Sequence, residues 1–375
     1  MRRLLSGNEA VAEGALAAGL NFYAGYPITP SSEIMHYLAR ELPKRGGVFI
    51  QAEDELAAIN MVIGASWAGA RAMTATSGPG FSLMQEGLGY AVMTETPLVL
   101  VNVMRVGPGT GQATKPSQGD VMQARWGRHG DQYVPVLAPS SPQEAYDLTI
   151  EAFAIAEELR TPVIVLTDEF VAHGREVVFL REKVEIPSRR KPQGREPPFG
   201  SPNPRVAPPM PVLGEGFHVL VTGSTHNEWG YRDVHSFETH FKLVTRLKEK
   251  IWGNIDRLFR YEVVEPCGEA RVVLFCYGST YRSCREACRR LCSEGISTKV
   301  FRPITLWPMD YDTLEKHLAD VDLVVVPELN LGQLVYDAMI AVRDRRRVLP
   351  VNKVGGGVPI YPSEIVASVK KFLGR

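Results

Sequence analysis

Two places in this sequence could do proton or anion chemistry. Glu53-Asp54-Glu55 stands where a strand gives way to a helix. Acidic residues there cap helix N-termini and suit the positive end of the helix dipole, so all three could be structural. The alternative is that one of them faces a buried ligand and exchanges a proton with it. Arg105 leaves an apolar strand and enters a glycine-rich loop, Val103-Met-Arg-Val-Gly-Pro-Gly-Thr-Gly-Gln-Ala-Thr114. A single arginine at a strand end is often a surface ion pair. Aimed at a ligand, it would grip a carboxylate through two parallel hydrogen bonds. The loop fits neither the P-loop nor the dinucleotide fingerprint, and Lys115 lies too far along it. Two more turns stand out. In Gly25-Tyr-Pro-Ile-Thr-Pro-Ser-Ser32 the prolines fix the loop and Ser31 or Ser32 can cap the next helix. In Thr76-Ser-Gly-Pro-Gly80, Gly78 lets backbone approach a ligand closely.

These turns need a scaffold, and the pattern supplies one. Helical periodicity covers Ala10–Leu20, Glu33–Leu42, Leu56–Ala68, Leu83–Met93 and Glu144–Leu159. Short apolar strands cover Phe22–Gly25, Val48–Gln51, Ala72–Thr76, Leu98–Met104 and Val163–Leu166. This alternation predicts an α/β domain over 1–185, a parallel sheet with helices on both faces. Ligands of such sheets bind beyond the carboxyl ends of strands. The loops Gly25–Ser32, Gln51–Glu55, Ser77–Phe81 and Arg105–Gln118 could all meet at that edge. Pro187–Pro211 is dense in proline, glycine and arginine and reads as a surface-crossing linker within 186–216. A connecting segment follows over 217–269, with a helical run from Phe241 to Arg260. A second α/β unit fills 270–375, with strands at Val272–Tyr277 and Leu323–Pro327.

Composition narrows the function classes. The 375 residues are 45% hydrophobic and 22% charged, with a formal net charge of +0. That balance argues against electrostatic capture of nucleic acid or anionic membrane. No apolar run reaches membrane-spanning length. Met1-Arg-Arg-Leu-Leu has the look of a signal start, but Glu9 and Glu13 interrupt the stretch, so export is not expected. The five cysteines, four of them within 276–292, are no secreted disulfide framework, and a reducing cytoplasm is expected. Cys284, Cys288 and Cys292 recur every four residues on a predicted helix and read as small core-facing residues rather than cluster ligands. His235 and His240 have a zinc-compatible separation, yet no C-x₂-C pair lies near them.

The motifs together resemble the 2-oxoacid:ferredoxin oxidoreductases, specifically their α subunits of the 2-oxoglutarate type. Glu55-Leu-Ala-Ala-Ile-Asn-Met-Val-Ile-Gly64, followed by Thr76-Ser-Gly-Pro-Gly80, looks like a thiamine-diphosphate pyrimidine-binding domain. Tyr26-Pro-Ile-Thr-Pro30 matches a family signature, and the Arg105 loop resembles the family's Arg-Gly-Gly-Pro-Ser-Thr-Gly-x-x-Thr. Val106 and Gly109 depart from it. The resemblance implies that Glu55 is the glutamate on the aminopyrimidine, the glycine spacing selecting it over Glu53. It implies that Pro27 and Gly78 line the cofactor, and that Thr29, Arg105, Thr110 and Thr114 line the substrate pocket. Thr305-Leu-Trp-Pro308 and Pro327-Glu-Leu-Asn-Leu-Gly-Gln333 resemble a transketolase C-terminal-like α/β domain.

The sequence lacks the Gly-Asp-Gly signature of a diphosphate-binding domain, and no asparagine lies between Asn102 and Asn203. The resemblance therefore places Mg²⁺, the diphosphate and a [4Fe-4S] cluster on a β subunit, with thiamine diphosphate shared between the chains. It also implies a separate γ subunit, a small ferredoxin-like δ subunit, and coenzyme A and ferredoxin as reaction partners. The expected reaction is coenzyme A-dependent oxidative decarboxylation of 2-oxoglutarate. Asn102-Val-Met-Arg105, in place of Asp-Val-Gln-Arg, keeps branched-chain 2-oxoacids and pyruvate open as substrates. A noncatalytic scaffold is the alternative from another class.

Overall fold

The computed structural model describes residues 1–265 and 267–374. Its larger sheet runs Thr305–Trp307, Val136–Leu137, Pro162–Asp168, Leu98–Val106, Ala72–Thr76, Phe22–Gly25 and Val48–Gln51. Every pairing in that order is parallel except the outermost, Thr305–Trp307 on Val136–Leu137. The central strand, Leu98–Val106, is buried along its whole length. Its alternate side chains serve opposite faces, as strand geometry requires. Leu98, Leu100 and Met104 pack with Ile59, Val62 and Leu88, from the helices Glu55–Trp67 and Gln85–Met93. Val99, Val101 and Val103 pack with Val11, Leu38 and Phe153, from the helices Gly7–Ala17, Ser32–Glu41 and Pro142–Leu159. This is the two-faced parallel sheet that the sequence predicts.

The second sheet runs Tyr261–Val264, Thr298–Pro303, Val272–Phe275, Leu323–Glu328 and Val348–Asn352, parallel except at its first pair. The chain between the two sheets is clamped. Gln118 exchanges hydrogen bonds with Leu329: its backbone N–H donates to the Leu329 carbonyl at 3.0 Å, and its Oε1 accepts from the Leu329 N–H at 3.1 Å. The Asn330 amide and the Tyr277 hydroxyl both donate to the Gln118 carbonyl, at 2.7 and 3.0 Å. The Pro327–Gln333 segment is thus the latch that seats the second unit against the Arg105 loop.

Several details differ from the sequence reading. The run from Leu83 to Met93 is two helices, Pro79–Leu83 and Gln85–Met93. The run from Phe241 to Arg260 is a longer helix, Phe237–Trp252, and a turn, Ile255–Leu258. The break falls at Gly253-Asn254, where the Asn254 amide donates to the carbonyls of Lys250 and Arg205. Residues 187–211 have no regular structure, yet they are anchored. Phe199 and Met210 are buried, and the Arg160 guanidinium donates to the carbonyls of Pro198, Pro208 and Pro209. Cys284 and Cys288 lie in the core, and Cys292 packs against its edge and forms a disulfide with Cys267, which the sequence reading did not foresee. Its place in the last turn of the helix Thr280–Ser293 puts it within reach of the loop before Val272–Phe275. Among the described residues no helix is long and apolar enough to cross a membrane, and no group of three or more His, Cys, Asp or Glu could hold a metal ion.

Candidate active site

The three acidic residues at 53–55 divide their tasks. Glu53 is exposed. Asp54 caps the helix Glu55–Trp67, its carboxylate accepting from the Ala57 N–H at 2.7 Å. Glu55 is relieved of capping and turns inward, with 5% of its surface exposed. It lies in the first helical turn, where the dipole favours a carboxylate. Across from it is the Thr76–Gly80 turn. A β-carbon on Gly80 would fall 2.4 Å from Glu55 Oε1 and 2.2 Å from Thr76 Oγ1, so only glycine leaves the carboxylate its place. Gly78 has a φ of +48° and packs against the Arg105 side chain, a position where any β-carbon is both strained and obstructed.

Arg105 sits next to this turn. Its two terminal nitrogens donate to the backbone carbonyls of Thr29, at 2.8 Å, and Thr110, at 3.1 Å. Thr29, Gly78, Arg105 and Thr110 therefore meet. The two threonines meet the arginine through backbone, and both are exposed, which frees their hydroxyls. Pro27 and Thr114 are exposed in the flanking loop and in the strand Gln112–Pro116. Among the described residues, the Arg105 side chain donates to neither of them. Burial draws the Arg105 guanidinium below its ordinary pKa, against the opposing pull of Asp120 and Glu55.

A set of buried polar atoms here has no protein partner: Thr76 Oγ1, Ser77 Oγ, Asn102 Oδ1 and Arg105 Nε. Orphaned buried groups are costly and uncommon in folded proteins, and a cluster of them at strand ends marks a place for a polar ligand. The sequence reading passed over Thr76, Ser77, Gly80, Asn102 and Asp120 as site residues. The signal for Asn102 was present, since it is the one amide in the apolar strand Leu98–Val106. Asp120 is reached by the Asn102 amide at 2.9 Å, a contact that no local pattern marks.

Fold and site define an α/β protein with a polar ligand site at the carboxyl edge of a parallel sheet. Residues 13–246 match the family described as pyruvate flavodoxin/ferredoxin oxidoreductase, thiamine diphosphate-binding, and residues 270–365 match pyruvate:ferredoxin oxidoreductase core domain II. The chain belongs to this oxidoreductase family. It is 52% identical over 354 residues to the 2-oxoglutarate synthase subunit KorA of Methanocaldococcus jannaschii, covering 94% of this chain and 95% of that one. It is 38% identical to the ketoisovalerate oxidoreductase subunit VorB of Methanothermobacter thermautotrophicus, covering 99% and 98%. Among solved structures it resembles the 2-oxoglutarate:ferredoxin oxidoreductase of Magnetococcus marinus, with bound 2-oxoglutarate, coenzyme A and succinyl-CoA. The TM-score is 0.92 at 36% identity, covering 99% of this chain and 65% of that one. A split-gene transketolase shares the fold, with a TM-score of 0.58 at 14% identity.

Proposed function

We propose that this chain is the α subunit of a 2-oxoglutarate:ferredoxin oxidoreductase, forming succinyl-CoA by oxidative decarboxylation. The observation that carries the reading is the buried Glu55 carboxylate facing Gly80, beside an Arg105 whose Nε is unpaired. The residues fit the pyrimidine half of thiamine diphosphate: one inward carboxylate, a glycine turn shaped around it, and orphaned hydroxyls at the strand ends. When bound, the cofactor supplies the carbon nucleophile and the sink for the electron pair released by decarboxylation.

This chain's own residues do the rest. Glu55 holds a proton against the pyrimidine ring nitrogen and so favours the basic form of the amino group. Gly78 and Gly80 keep the turn close enough for that contact. Arg105, fixed by the Thr29 and Thr110 carbonyls, still has hydrogens on Nε and on both terminal nitrogens. It orients the carboxylate that every 2-oxoacid carries. The Thr29, Thr110 and Thr114 hydroxyls line the remainder of the pocket. The β subunit completes the site with Mg²⁺, the diphosphate cradle and a [4Fe-4S] cluster. Coenzyme A takes the acyl group, ferredoxin takes the electrons, and γ and δ subunits complete the assembly.

The test is made on the native complex isolated anaerobically through this chain. Viologen reduction is followed with coenzyme A and, in turn, 2-oxoglutarate, pyruvate and 2-oxoisovalerate. A preference for 2-oxoglutarate is the expected result. Preference for another acid moves the substrate, and no activity in a complex that holds iron and thiamine diphosphate contradicts the reaction.

A further inference from the structure

Three acids lie close together where the Arg105 loop meets the second unit: Asp120, Asp168 and Glu328, all within electrostatic reach of the buried Tyr277. Burial raises the carboxyls of Asp168 and Glu328 as well, but several donors oppose the rise in each. The Glu328 carboxylate accepts from the Asn330 amide and from the N–H groups of Gln333, Leu334 and Val335. The Asp168 carboxylate accepts from the N–H groups of Val171 and Ser279 and from the Gln118 amide. Asp120 has a single donor, the Asn102 amide at 2.9 Å. Hydrogen bonds to a carboxylate oppose its protonation, and Asp120 has the fewest of the three. Burial pushes Asp120 up to about 6, with Asn102 and Arg105 opposing.

Its surroundings set what the proton does. From the strand Leu98–Val106, Asn102 and Arg105 face it. The second unit brings Tyr277, which is also within electrostatic reach of Glu328. Asp168 and Arg125 also act on Tyr277, and Arg125 is bound to Asp337 at 2.8 Å. Among the described residues, Arg105 is thus the cation facing Asp120 that is not committed to another carboxylate, and Glu55 draws on it too. An incoming substrate carboxylate on Arg105 adds another negative charge beside Asp120.

We propose that Asp120, held by Asn102 beside Arg105, is a positioning residue that takes up a proton when a 2-oxoacid carboxylate is seated on Arg105. The inference rests on the proposed reading of Arg105. The proton comes from solvent and returns there when the anion leaves. It relieves repulsion between Asp120 and the substrate, and it leaves Arg105 turned to the ligand. Affinity for the substrate therefore falls as pH rises above about 6, by about tenfold per pH unit for one linked proton, until the substrate-bound form itself loses that proton.

The experiment is calorimetric titration of the assembled complex with 2-oxoglutarate, without coenzyme A, in buffers of different ionisation enthalpy between pH 6 and 8. Pyruvate and 2-oxoisovalerate serve as further ligands. The wild type is expected to take up a substantial fraction of one proton. Asp120→Asn, which keeps the shape and the Asn102 contact, should take up almost none and bind with little pH dependence. Asn102→Leu, which removes the one donor, should move the midpoint of the affinity profile to higher pH. Binding with no proton uptake, or uptake unchanged in Asp120→Asn, overturns the role of Asp120 and leaves Arg105 as proposed. No binding of any of the three acids overturns the substrate class, and this inference with it.

Discussion

The two ends of the larger sheet treat charge in opposite ways. At the amino ends of its strands lies a closed ionic knot. Glu95 is wholly buried, and its carboxylate accepts two hydrogen bonds from Arg246, at 2.6 and 3.0 Å, and one from Lys250, at 2.6 Å. Lys250 also donates to the Arg160 carbonyl, and Arg160 ties in the irregular strap by its proline carbonyls. Burial alone would raise the Glu95 carboxyl, but Arg246 and Lys250 hold it well below the usual carboxylate range. Burial draws Lys250 down to about 8, which still leaves it charged at neutral pH. At the carboxyl ends the reverse holds. Among the described residues Arg105 pairs with no carboxylate, and hydroxyls are buried without partners. A fold that pairs its buried glutamate with two cations at one edge, and leaves a guanidinium without a carboxylate at the other, has separated a part that holds it together from a part that waits for a ligand.

This contrast can be broken from either side. Glu55→Gln should lower turnover of the assembled complex by about 10²–10⁴-fold, the usual worth of positioned acid–base help, while the thermal midpoint stays near wild type. Glu95→Ala should do the opposite, costing about 3–5 kcal/mol in urea unfolding, because Arg246 and Lys250 would be left buried and unpaired. The same knot has a pH signature. Since the folded-state pKa of Glu95 is depressed, its contribution is present above about pH 4.3, the unfolded value, and is lost as pH falls below that. Urea midpoints between pH 6 and 3 should fall less steeply in Glu95→Gln.

Smaller changes sharpen the picture. Gly80→Ala should cost about 10²-fold in turnover by displacing Glu55, as misplacement on the scale of an ångström does, with thiamine diphosphate content as the companion readout. Arg105→Lys should raise the KM for the 2-oxoacid by about tenfold, the loss of one charge-assisted hydrogen bond, with a smaller change in kcat. Glu53→Gln, an exposed neighbour, should leave steady-state rates unchanged.

Much of this arrangement was legible before any coordinates. The alternation of apolar strands and periodic helices fixes a parallel sheet, and parallel sheets fix the edge where loops converge. Thr29 and Arg105 stand out because glycines and prolines lie beside them, and Glu55 because it opens a helix directly after a strand. The ionic knot was not legible. Glu95, Arg160, Arg246 and Lys250 are spread over 155 residues and come together only through tertiary packing, so no local pattern marks them. Asp120 was hidden for a related reason: its nearest donor, Asn102, is 18 residues away on another element. The strap misled because proline-rich composition predicts irregular backbone but says nothing of which apolar residues it buries. The strand Thr305–Trp307, which crosses to the first sheet, is too short to carry a pattern of its own.

The most direct test of the account is the rate at which the C2 proton of thiamine diphosphate exchanges with deuterium in the assembled complex, followed by quenched NMR without substrate. That rate reports on Glu55 alone, ahead of substrate choice, electron transfer and coenzyme A. A fall of about 10²-fold or more in Glu55→Gln, at unchanged cofactor content, is the result the account predicts. Exchange as fast as wild type would contradict it and leave Glu55 as a buried structural carboxylate.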